Sequence, residues 1–85
     1  MAGRPRSMYL DGYLRDSAQR VARRERPLTP GTYLNGQLHG WAAMHAYQYR
    51  RPLLRALDEE VRAGRVVAVR SAHGAVAYAP RAVAA

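Results

Sequence analysis

Cysteine is absent from the 85 residues, so neither a disulfide nor a Cys-containing zinc site can staple the fold, and any core must be held by packing alone. Phenylalanine and isoleucine are absent as well. Leu and Val supply fifteen residues, below the ~20 % level at which high charge begins to favour disorder, so only ordered placement of those residues can make a globular core. A chain this short has room for one small domain burying roughly 60 to 65 % of the surface its unfolded form exposes, which argues against a large internal active-site cavity. No run approaches the ~18 apolar residues of a membrane span. The start, Met1-Ala2-Gly3-Arg4-Pro5-Arg6, lacks the apolar stretch of a secretory signal. The expected setting is therefore cytoplasmic, with no membrane partner.

Acid is scarce and lysine is missing. All fourteen basic residues are Arg, against six Asp and Glu, giving a formal charge of +8 and an isoelectric point near 11.1. That lies well beyond the roughly pI 9 of nucleic-acid-binding compositions, so a polyanion is the expected partner and a nucleoid-associated location follows. An all-Arg, Ala-rich composition is also what codon usage in a GC-rich bacterial or phage genome produces.

Along the chain, residues 1–6 read as a flexible basic arm, with two Arg around one Pro and nothing large to bury after Met1. From Ser7, a capping residue, Leu10, Leu14, Ala18, Val21 and Ala22 recur at helical spacing with Tyr13 and Ser17 beside them, predicting a first helix to Arg26 that stops before Pro27. The stretch Pro27 to Gly40 holds two prolines and three glycines, leaving room for one short turn near Leu34 and Leu38. Trp41 to Tyr47 reads as a compact second helix whose bulky residues Trp41, Met44 and His45 face the core, while Tyr47 either packs to close the turn after it or, with Tyr49 among the arginines, donates to a phosphate or stacks on a base. A third helix is expected from Pro52, suited to a first helical position, to Ala63, with a Leu53, Leu54, Leu57, Val61 stripe and Gly64 as its C-terminal cap. Val66, Val67 and Val69, the turn pair His73-Gly74 and the run Ala75 to Ala79 then predict a β-hairpin ending at Pro80. The tail 81–85 carries no anchor and is expected to fray.

This order of elements, strongest over Trp41 to Pro80, resembles the winged helix-turn-helix family. Tyr49-Arg50-Arg51-Pro52-Leu53-Leu54-Arg55 and the following residues to Val66 are similar to its recognition helix, closing glycine and entry into the wing, and Tyr78 matches a frequent aromatic in the second wing strand. The resemblance implies an α+β, mainly helical domain over residues 7–80, with three helices followed by a two-stranded wing. It also implies insertion of the helix at 52–63 into the major groove of double-stranded DNA. On that reading the contacting residues are Gln48, Tyr49, Arg50, Arg51 and Arg55 near the start of the helix, and Arg70, Ser71 and His73 on the wing. Asp58, Glu59 and Glu60 fall on later turns, as a solvated face balancing Arg55 and Arg62. In the arm, Gly3-Arg4-Pro5-Arg6 resembles the core of an AT-hook, with Ala2 where that motif has a basic residue. This places Arg4 and Arg6 in the minor groove or on phosphates.

Other chemistry finds little support. His39, His45 and His73 are the only imidazoles and no pair has i, i+4 spacing, so no metal site is expected. No phosphate-binding loop, dinucleotide fingerprint or nucleophile elbow is present, and three successive carboxylates spread around a helix axis instead of pairing. Neither an enzyme nor a cofactor is expected. Transcriptional regulation, or an accessory role on a mobile element, is the expected function, with a possible homodimer through the first helix. Because fold alone does not fix function, a module docking on RNA polymerase, another regulator or a replication component stays open. RNA binding stays open as a third reading.

Overall fold

The computed structural model describes residues 7–70 and 73–84, so Arg4, Arg6 and Ser71, which the sequence offered as contacts, lie outside the described residues. The chain is α+β and mostly helical. Among the described residues five helical segments appear where three were expected: α1 (Leu10–Ala22), α2 (Pro30–Gln37), α3 (Trp41–Met44), α4 (Ala46–Arg62) and, after strands β1 (Val66–Arg70) and β2 (Val76–Pro80), the single turn α5 (Arg81–Ala84).

Helix α1 is shorter at both ends than its apolar period allows. The Ser7 hydroxyl accepts from the Tyr9 amide at 3.1 Å, so Ser7 organises the turn before the helix. At the other end Arg24 takes φ 63°, the amide of Arg24 donates to Val21 O and that of Glu25 to Arg20 O at 2.7 Å. This paired arrangement is a Schellman closure built on a non-glycine residue. The face turned inward is Leu10, Tyr13 and Ser17, with Leu14, Ala18 and Val21 only half-buried. Tyr13 takes the central place because its phenol finds two backbone partners inside. It donates to Leu28 O at 2.6 Å and accepts from the Tyr78 amide at 2.9 Å. A buried hydroxyl with both roles filled lets a Phe-free core use tyrosine as its large aromatic.

Helix α2 replaces the single turn expected there. Thr29 caps it by accepting from the Thr32 amide at 3.2 Å, Pro30 occupies its first turn, and Leu34 and the following Leu38 are buried. Capping and burial outweigh two internal glycines over so short a length. Gly12 on α1 has a packing role here, since a Cβ at that position would lie 2.5 Å from the Tyr33 hydroxyl. The Tyr33 ring sits edge-on to Tyr13 at 5.4 Å.

The largest departure concerns α3 and α4. Gly40, at φ 59° and ψ −131°, adopts a conformation open to glycine alone and starts α3, which is only four residues long. The chain breaks at His45 (φ −117°, ψ 34°) and restarts as α4 at Ala46, so Pro52 lies inside the helix, not at its start. Proline in a helix interior costs about 3 kcal/mol. Pro52 is exposed, so the carbonyl it strands can meet water, while Ala46 and Tyr49 before it and Leu53, Ala56 and Leu57 after it pack against one core. Continuous burial on both sides of the proline offsets the lost bond.

Gly64 closes α4 as expected, at φ 80°, with its amide on Val61 O and the Arg65 amide on Glu60 O. Glu60 turns inward instead of joining a solvated face, and Arg65 grips both its oxygens at 2.9 and 2.8 Å. The hairpin pairs Val66 with Pro80 through Arg70 with Val76. On β2 burial alternates along the strand, at Ala77 and Ala79, whereas on β1 only Val66 is buried, and Ala68, Val69, Arg70, His73, Gly74 and Ala75 are exposed. The tail does not fray over its described residues. The Arg81 amide donates to Arg65 O at 2.9 Å and its Nε to Gly64 O at 2.7 Å, docking α5 on the junction of α4 and β1.

Candidate nucleic-acid interface

The inward stripe of α4, with Leu53, Ala56, Leu57 and Glu60 buried and Ala46 and Tyr49 half-buried, fixes what faces outward. At a period of 3.6, Gln48, Arg51, Arg55, Asp58 and Arg62 form the opposite row, each three or four residues from the next, and all five are exposed. Asp58 is neutralised within the row by Arg62 at 3.1 Å. Glu60 is held by Arg65, so positive charge dominates the first half of the helix and balanced charge the second. Among the described residues Arg50, Arg51 and Arg55 make no ion pair, whereas Arg20 is bound to Asp16 and Glu25. Unpaired guanidiniums keep all five N–H donors available to phosphate or to a guanine edge.

Because α4 begins at Ala46, its first turn is Ala46 to Tyr49, and the arginines lie one to two turns further along than expected. The expected residues separate into different surroundings. Gln48, Arg51 and Arg55 share the outward row. Tyr49 is half-buried, edge-on to Tyr9 at 5.9 Å, and belongs to the margin of the core. Arg50 runs beside the first turn of α2, where a Cβ on Gly31 would lie 3.9 Å from its Cδ. On the hairpin, Arg70 and His73 are exposed, and Arg70 Nη1 reaches Gly74 O at 3.4 Å.

The sequence turned Trp41 and Met44 toward the core and left Tyr47 either packed or outward, yet the three are 62 %, 83 % and 58 % exposed. His45 stacks on Trp41 at 4.5 Å. A signal was present: running the period back from Leu53 through Tyr49 to Ala46 carries the helix across Pro52 and turns Tyr47 off the core. The first helix turns Leu10, Tyr13 and Ser17 into the domain and leaves Asp11, Arg15 and Gln19 on its exposed face.

Among the described residues no helix is long and apolar enough to cross a membrane. No three potential metal ligands converge among them either. No protein-family model, curated protein or solved structure matches this chain.

Proposed function

We propose that the protein is a winged-helix-like binder of double-stranded DNA that regulates transcription or assists a mobile element, with α4 in the major groove and the β1–β2 hairpin along the neighbouring backbone. The observation that carries this reading is the outward row Gln48, Arg51, Arg55 on α4, free of acidic partners and set opposite the buried stripe. Arg51 or Arg55 can donate two hydrogen bonds to guanine O6 and N7, and Gln48 can pair with adenine N6 and N7, each good pair contributing about 1 to 3 kcal/mol of base discrimination. The exposed turn end of the hairpin supplies Arg70 for phosphate contact.

Selection of random duplex DNA on the purified protein at near-physiological salt, against a pool of structured RNA, tests the proposal. Enrichment of a duplex motif is expected. Equal retention of DNA and RNA, lost together as salt rises, would remove it in favour of a protein-docking role.

A further inference from the structure

Three of the largest side chains in the protein are left in solvent within seven residues of one another. Trp41, the only tryptophan, Met44 and Tyr47 stand exposed on α3 and the first turn of α4, while a core without Phe or Ile goes without them. The indole is held in place. Gly40 turns the backbone immediately before it, and the His45 ring lies against it at 4.5 Å and 36°. One side of the indole is thus backed by a second ring, and its remaining surface faces outward.

The charge around this patch narrows its occupant. No acidic residue occurs between Glu25 and Asp58, a stretch that holds Trp41, Tyr47 and the unpaired Arg50, Arg51 and Arg55. Two copies, each at +8, would bring these acid-free segments together against their own repulsion. Exposed rings and unpaired guanidiniums in one acid-free stretch, Tyr47 on the same helix as the arginines, match the two chemistries of a nucleic-acid strand, with bases that stack on aromatic faces and phosphates that pair with Arg.

We propose that Trp41, with Tyr47 beside the arginine row, is a stacking wedge for an unpaired DNA base, so that the protein prefers a duplex carrying an unpaired base next to the segment gripped by α4. This inference rests on the DNA-binding reading above. Stacking of one base on one aromatic ring is worth roughly 5- to 150-fold in affinity. On a continuous duplex that gain is cancelled by the cost of pulling a base out of the stack, and on an unpaired base it is not.

The test compares the full chain on a labelled continuous duplex and on the same duplex with one unpaired thymine, reading anisotropy for affinity and Trp41 emission for stacking. The wild type is expected to bind the thymine-bearing duplex at least about 5-fold more tightly, with quenching of Trp41. Trp41→Ala should lose the preference, Trp41→Phe should keep part of it, and Arg51→Ala should weaken both duplexes alike. Circular dichroism and urea midpoints check that each variant is folded. Equal wild-type affinity for the two duplexes with unchanged Trp41 emission overturns the wedge and leaves DNA binding standing, whereas binding to neither overturns both. Tighter binding to unpaired RNA of the same sequence overturns the DNA assignment. A dimer by sedimentation that Trp41→Ala dissolves gives the patch to a second copy and overturns the wedge.

Discussion

The Tyr13 hydroxyl accepts a hydrogen bond from the amide of Tyr78 at 2.9 Å, joining the first helix to the last strand across 65 positions of sequence. The same oxygen donates to Leu28 O at 2.6 Å, so one phenol ties α1 to β2 and to the loop leading into α2. The anchor falls on the middle of β2, where Tyr78 pairs with Ala68, so the strand is fixed to the core along its length and not only where it meets α5.

Tyr13→Phe removes both bonds and strands a donor and an acceptor in a partly buried place. The expected loss is about 2 to 3 kcal/mol, from an unsatisfied-group cost of ~1 to 3 kcal/mol each partly relieved by water. Urea unfolding should show it, and amide exchange should show Tyr78 losing protection. A change below about 0.5 kcal/mol would mean the phenol does not anchor the hairpin.

Stability should fall in alkali. Burial raises the Tyr13 hydroxyl above its ordinary value near 10, and burial raises that of Tyr33 as well. Above pH 10 the unfolded chain releases these protons while the folded one retains them, so unfolding is favoured progressively up to the folded values. Urea midpoints from pH 8 to 11.5 should decline beyond pH 10, and Tyr13→Phe should decline less steeply. Equal slopes in the two proteins would contradict the assignment to Tyr13.

The two Schellman closures make opposite predictions. Gly64 at φ 80° suits its position, so Gly64→Ala should destabilise by about 1 kcal/mol. Arg24 at φ 63° pays the left-handed cost that glycine avoids, so Arg24→Gly should stabilise by up to about 1 kcal/mol. Thermal melts of both variants check the pair, each kcal/mol moving the midpoint by about 4 to 8 °C in a domain of this size.

Arg51 and Arg62 lie on the same outward row, and only Arg62 has an acidic partner. Arg51→Ala should lower affinity for a selected duplex by about 1 to 3 kcal/mol and relax preference at one base position. Arg62→Ala should have a smaller effect with preference intact. Equal losses on every sequence for both variants would count against base reading by Arg51.

Local signals carried much of the architecture. The valine run and His73-Gly74 marked the hairpin, Gly64 marked the end of α4, and the scarcity of acid before Asp58 marked the basic half of that helix. Other local signals pointed the wrong way. Glycines at 31 and 36 argued against α2, and Pro52 read as a helix start, because propensity counts the cost at one residue and not the burial of its neighbours. Glu60 looked solvated beside Asp58 and Glu59 until the turn at Gly64 brought Arg65 back onto it.

Composition and period alone thus determined a basic, cysteine-free α+β chain with a hairpin after its last long helix, since backbone preference and side-chain spacing act over a few residues. Tertiary structure decided that Tyr13 turns inward, that α4 runs through Pro52 and that Trp41 stays outside. The first two depend on contacts between residues far apart in sequence, which form only once the core has assembled, and the third follows because α4, running on through Pro52, sets which side of the chain before it meets that core.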